Sequence, residues 1–188
     1  MQQIVLASAS PRRKMLMNKL NIPYIVDAAD IDEECYKESN PHKLVKLLSL
    51  KKAEAVAHKY NNSIIIGADT VVALKKTILG KPKNKKHALK MLKLLSNKKH
   101  FVITGYTILN TKSNAQHTES LCSNVYFKDL STKEIVEYIN SGEPMDKAGA
   151  YAIQGAGRRL INKYEGDLNT IIGLPLENIR KQLSEYAE

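Results

Sequence analysis

The sequence predicts an α/β fold on three observations. Short apolar runs of strand type alternate with amphipathic segments of helix type along most of the 188 residues. The connections between them are short and carry turn residues. Helix-opening signals recur at Ser10-Pro11, Asn40-Pro41, Asn84 and Ser131-x-x-Glu134, each ahead of an amphipathic stretch.

In chain order, Gln3–Ala7 reads as a buried strand, followed by a helix over Pro11–Leu20 and an extended run at Tyr24–Asp27. Asn40 and Pro41 open a helix whose apolar side is expected to be Leu44, Leu47, Leu48, Ala55 and Val56. Ser63–Gly67 is a second buried strand. Asp69 is expected to emerge at its carboxyl end, with Val71–Leu74 as a continuation before a Lys75-Lys76 turn to Ile78-Leu79. Asn84 caps a helix carrying Ala88, Met91, Leu92 and Leu95 inward. His100–Asn110 and Ser120–Phe127 read as antiparallel neighbours joined by a polar turn over Thr111–Gln116. A capping box opens the helix that runs to about Asn140, and Gly142 and Pro144 end it. Arg159–Tyr164 suits one more strand, and Pro175 starts a closing helix with Leu176, Ile179 and Leu183 inward. The length fits a single domain over residues 1–188, with no internal repeat or low-complexity linker.

Bulk composition excludes several classes. No apolar run approaches the roughly 18 residues that a membrane span needs, and the first residues lack a basic-then-apolar signal pattern, so a cytoplasmic protein without membrane partners is expected. Cys35 and Cys122 lie far apart and match no metal or redox spacing, which predicts reduced thiols. The five histidines show no H-E-x-x-H or similar spacing, leaving zinc chemistry and a histidine-based triad unsupported. A net charge of +10 favours polyanionic partners. Many of the lysines fall on solvent faces of helices, however, and no RNA-binding signature accompanies them, so a dedicated nucleic-acid site is not expected.

Local motifs are more specific than charge. Ser8-Ala-Ser-Pro-Arg-Arg-Lys14 sets three cations in the first turn of a helix, where acids are usually preferred. Breaking that rule at a strand-to-helix corner points to an anionic ligand such as a phosphate. The segment is not a nucleotide-binding P-loop, since no G-x-x-x-x-G-K-[ST] occurs and no G-x-G-x-x-G follows a strand. Asp69, in Gly67-Ala-Asp-Thr70, could hold a divalent cation or orient a water, or could form a turn with Thr70. The acidic run Asp30-Ile-Asp-Glu-Glu34 could supply a second carboxylate or remain a solvated loop. Lys52, Lys81 and Lys147 sit where a point charge could meet phosphate.

Read in order, these pieces resemble the Maf family of nucleoside triphosphate pyrophosphatases. The carrying motifs are Leu6-Ala-Ser-Ala-Ser-Pro-Arg-Arg13, the Asp32-Glu33 pair, Lys52-Ala53, Gly67-Ala-Asp-Thr-Val-Val72, Gly80-Lys-Pro82, the stretch Gly142–Gly155 and Gly173-Leu-Pro-Leu176. The resemblance implies an elongated, two-lobed α/β fold around a twisted mixed sheet, with the site in a central cleft. It also implies a distant likeness to inosine-triphosphate pyrophosphatases and, often, a homodimer. The implied reaction hydrolyses a nucleoside triphosphate to the monophosphate and pyrophosphate with Mg²⁺ or Mn²⁺.

Carried over residue by residue, the resemblance makes Asp69 the acid that activates water and contacts the metal, and Glu33 its assistant. Ser8, Arg13, Lys52 and Lys81 would hold the phosphates, while Arg12, Thr70 and Gln154 would choose the base. Asp146–Gly155 is similar to the branch acting on dTTP and UTP, and the donor and acceptor of Gln154 suit a pyrimidine edge. Modified pyrimidine nucleotides fit the same reading. The competing expectations are the same reaction on 7-methyl-GTP or another modified nucleotide, and a nucleotide- or nucleic-acid-binding regulator of cell division.

Overall fold

The structure, a computed structural model, describes residues 2–186. Seven strands form one mixed sheet in the order β2-β1-β3-β5-β6-β7, with β4 paired to β3. They are β1 (Gln3–Leu6), β2 (Tyr24–Val26), β3 (Ser63–Leu74), β4 (Thr77–Leu79), β5 (Lys99–Asn110), β6 (Gln116–Phe127) and β7 (Ile161–Glu165). The helices are α1 (Pro11–Asn18), α2 (Pro41–Ala57), α3 (Lys85–Leu95), α4 (Thr132–Asn140), α5 (Leu168–Ile172) and α6 (Leu176–Glu185). Strand β1 runs parallel to both β2 and β3, whereas β4 and β7 are antiparallel to β3 and β6. Among the described residues no helix is long and apolar enough to cross a membrane.

The chain divides into two compact units. The first comprises the described residues up to Asp69, Thr104–Leu121, and those from Gly173 onward. Its core joins Val5 and Ala7 to Ile65 of β3 and to Ala53 and Val56 of α2. Two glycines let α2 lie directly on the strands. A Cβ on Gly67 would stand 2.2 Å from the Ser49 carbonyl oxygen and 2.9 Å from the Ala53 nitrogen, and one on Gly105 would stand 2.4 Å from the Val45 carbonyl oxygen. Those obstacles are helix backbone, which cannot swing aside as a side chain can. Gly67→Ala is therefore expected to destabilise the protein by about 2 kcal/mol or more through overpacking. An unchanged urea midpoint for that variant would refute the contact.

The second unit comprises Thr70–Ile103 and Cys122–Ile172. Helix α3 is opened by the Asn84 side chain, which accepts the His87 N–H at 2.8 Å, and it buries Ala88, Met91, Leu92 and Leu95 as its stripe predicts. The Ser131–Glu134 capping box at the start of α4 is fully formed. His100, Phe127 and Tyr151 pack edge-to-face, and burial pulls the His100 imidazole down to about 4, so it stays neutral.

Several elements differ from expectation. Strand β3 does not end near Gly67; it runs unbroken for 12 residues, and Asp69 lies inside it and not in a turn. What ends is the pairing with β1, whose last rung is Leu6 opposite Ile66, extended by an Ala7 N–H bond to the Ile66 oxygen at 2.9 Å. Helix α2 buries Val45, Leu48, Ser49, Lys52, Ala53 and Val56, so Leu44, Leu47 and Ala55 lie at the margins of its buried face. Ser10 occupies the N-cap position of α1 without a side-chain capping bond. Strand β7 begins at Ile161, because Gly155–Leu160 forms a 3₁₀ segment, and the short α5 was not anticipated. Cys35 and Cys122 are free and exposed.

Candidate active site

Strand alternation builds the centre of the site. Ile65, Gly67 and Asp69 are two residues apart on β3 and share one face. Gly67 meets Ser49 and Ala53 of α2 on that face. Lys52 belongs to the same buried helix face, and its Nζ donates to Asp69 Oδ1 at 2.6 Å. The Lys52 ammonium also meets Glu33 Oε1 at 2.7 Å. Glu33 opens a single 3₁₀ turn, Glu33–Cys35, which Asp32 caps by accepting the Glu34 N–H. The acidic run is therefore no mere solvated loop: one of its carboxylates meets the lysine that Asp69 meets.

The basic corner belongs to the same unit. After β1 leaves the sheet, the buried Ser8 hydroxyl accepts a bond from Arg13 Nη1 at 3.1 Å and from the Ser10 N–H at 3.3 Å. Arg13 Nε donates to the Gly173 carbonyl at 2.9 Å. Ser8, and not Ser10, is thus the serine that orders this corner. The Gly173 carbonyl is a partner that motif reading missed, because residues 160 apart in sequence give no local signal of their contact.

Electrostatics ties these groups together. Burial pushes the Asp69 carboxyl above the ordinary carboxylate range, Lys52 and Arg13 pull it back, and Glu33 pushes it up again. Burial likewise pulls the Arg13 guanidinium down, opposed by Asp69 and Glu33 and reinforced by Arg12, yet an arginine remains charged. Two carboxylates and two cations therefore share one partly dehydrated cluster. A carboxylate poised in this way can take a proton or bind a cation, and the arginine and lysine can meet an anion.

The remaining residues named from sequence lie in the second unit or at the edge of the cluster. Arg12 is half-buried in the first turn of α1. Thr70 follows Asp69 in β3 and is half-buried. Lys81 is exposed, in a segment held by a bond from the Gly149 N–H to the Gly80 oxygen at 3.0 Å. Gln154 is exposed just ahead of the 3₁₀ segment, and its side chain makes no cap to it. Lys147 pairs with Asp146. Among the described residues no group of three or more His, Cys, Asp or Glu is placed to hold a metal.

Fold and cluster together define an α/β protein with a buried acid held between cations beside a parallel strand pair, a class suited to anionic ligands. The family description "Maf-like protein" matches residues 3–186, and the chain belongs to that family. It is 44% identical over 183 residues to a dTTP/UTP pyrophosphatase of Geobacillus sp. (strain WCH70), covering 97% of each chain. It is 45% identical over 177 residues to a dTTP/UTP pyrophosphatase of Alkaliphilus oremlandii (strain OhILAs), covering 94% of this chain and 92% of that one. In fold it is similar to a HAM1 protein from Coxiella burnetii, with a TM-score of 0.58 at 15% identity over 98% of this chain and 100% of that one.

Proposed function

We propose that the protein hydrolyses dTTP and UTP, and modified pyrimidine nucleotides of the same shape, to the monophosphate and pyrophosphate. The observation that carries this reading is the buried Asp69, held by Lys52 at 2.6 Å and electrostatically coupled to Arg13 and Glu33. Relatives that cover nearly the whole chain and are named dTTP/UTP pyrophosphatase support the substrate.

The chemistry asks for little beyond positioning and charge neutralisation. Asp69 takes a proton from a water whose oxygen attacks the α-phosphorus. The bond from that phosphorus to the bridging oxygen breaks, and pyrophosphate leaves with the bonding pair. Ser8, Arg13, Lys52 and Lys81 neutralise and hold the phosphates. Arg12, Thr70 and Gln154 select the base, with the Gln154 amide offering a donor and an acceptor to the pyrimidine edge.

A divalent cation fits the donor set. Asp69 and Glu33 offer hard oxygen ligands, and both already converge on one cation, the Lys52 ammonium. These two carboxylates would hold Mg²⁺ or Mn²⁺ together with substrate phosphates. When bound, the ion would neutralise phosphate charge and lower the pKa of a ligated water. The reading takes the protein to be cytoplasmic, and takes from the family resemblance a homodimer as its working form.

The test is a panel of nucleoside triphosphates with and without Mg²⁺ or Mn²⁺, scored separately for pyrophosphate and monophosphate. Metal-dependent, equimolar release from dTTP and UTP is expected, with little from purine nucleotides. Preference for 7-methyl-GTP would move the substrate, and release of inorganic phosphate from every nucleotide would overturn the reaction.

A further inference from the structure

We propose that Glu143 is a positioning residue for base selection, fixing the backbone that presents Gln154. The proposal rests on the reading of Gln154 as a base-selecting residue. In the second unit, Glu143 lies in the 3₁₀ turn Glu143–Asp146, and its carboxylate reaches across to a different segment. One oxygen, Oε2, accepts the Ala156 N–H at 3.0 Å, and the other, Oε1, accepts the Gly157 N–H at 3.1 Å. Oε1 also accepts the Tyr138 hydroxyl at 2.9 Å. That hydroxyl in turn accepts the Ala152 N–H at 3.2 Å. The chain is therefore held two residues before Gln154 and again two and three residues after it.

The arrangement solves a problem at the start of the 3₁₀ segment Gly155–Leu160. Its first N–H groups need acceptors, and the residue at the N-cap position would ordinarily supply one from its own side chain. That residue is Gln154, whose side chain makes no capping bond. Glu143 caps the segment from outside instead, and the Gln154 amide is left for a ligand. Gly155 adopts φ +66°, and a Cβ there would stand 2.7 Å from Glu143 Oε2, so the backbone and the carboxylate meet without a side chain between them. Two N–H donors on two different oxygens require a carboxylate. In Glu143→Gln the amide nitrogen must face one backbone N–H, donor against donor.

Steady-state kinetics on dTTP and on dATP tests the proposal, with thermal melting run alongside. Glu143→Gln is expected to raise the KM for dTTP about tenfold, to leave kcat within about twofold, and to lower discrimination against dATP by a similar factor. Gln154→Ala should shift discrimination the same way. The double variant should lose little more than Gln154→Ala alone, since Glu143 acts through Gln154. Additive losses, or intact discrimination in Glu143→Gln beside impaired discrimination in Gln154→Ala, would overturn the proposal while leaving the Gln154 reading in place. Intact discrimination in Gln154→Ala would instead sink that reading and the proposal with it. If Glu143→Gln fails to fold, Tyr138→Phe keeps the carboxylate and removes one of its partners. It should shift discrimination about threefold, and unchanged discrimination there overturns the proposal.

Discussion

Asp69→Asn is expected to abolish pyrophosphate release from dTTP, by roughly 10³-fold or more, without lowering the melting temperature at neutral pH. The activity loss follows from the proposed role of Asp69 as base and metal ligand, which asparagine removes at constant volume. The stability result follows from linkage. Burial raises the Asp69 pKa despite Lys52 and Arg13, so the native state keeps that proton to higher pH than the unfolded chain does. The stabilising contribution is full below the ordinary carboxylate range and is lost as pH rises through the raised value. Above the raised pKa the wild type bears the cost of a dehydrated carboxylate, and an asparagine does not. The advantage of the variant should fade as the pH falls and wild-type Asp69 takes up its proton. Melting curves across that range check the sign: a variant several degrees less stable at neutral pH would show that the Lys52 pairing outweighs burial.

Lys52→Met is expected to have the second-largest effect, on stability and activity together. It removes the ammonium that meets Asp69 at 2.6 Å and Glu33 at 2.7 Å, and leaves two carboxylates facing each other. Breaking a buried ion pair costs several kcal/mol; about 2–3 kcal/mol is expected here, because Glu33 keeps part of its hydration. Loss of the proposed phosphate contact should lower kcat/KM by about 10²-fold. The variant should also respond more strongly than wild type to added Mn²⁺ in thermal melting, since a divalent ion bound by the native state replaces the missing positive charge. Equal Mn²⁺ responses in variant and wild type would remove the carboxylate pair as a metal site, whatever happens to turnover.

Apolar periodicity read some elements closely and misread others for identifiable reasons. Helix α3 buries the four residues its stripe names, because every inward position there is apolar. Helix α2 buries Ser49 and Lys52 beside Leu48 and Val56, so counting apolar residues alone draws in Leu44, Leu47 and Ala55 from the margins of that face. The same polar intrusion hides the continuity of β3, where Asp69 and Thr70 interrupt an otherwise apolar run. Both misreadings fall where Asp69 meets Lys52, which is where local rules are expected to yield to function. Motif order brought forward Ser8, Arg13, Glu33, Lys52 and Asp69, and the first unit gathers all five. Glu143 left no such trace as a positioning residue. Besides the Tyr138 hydroxyl, its partners are backbone N–H groups 13 and 14 residues away, and a backbone N–H looks the same whatever residue carries it.

The seating of α2 on bare strand backbone has a consequence for accuracy. Lysine is a poor choice where a charge must be placed to a fraction of an ångström, since four rotatable bonds let the tip wander. Here the helix that carries Lys52 rests main chain against main chain at Gly67 and Gly105, with no compressible side chain as a cushion at those contacts. The stem of Lys52 is buried at that joint, so little of its length is left to wander. The ammonium inherits the tolerance of a close-packed bearing surface, and a flexible side chain behaves as a fixed charge.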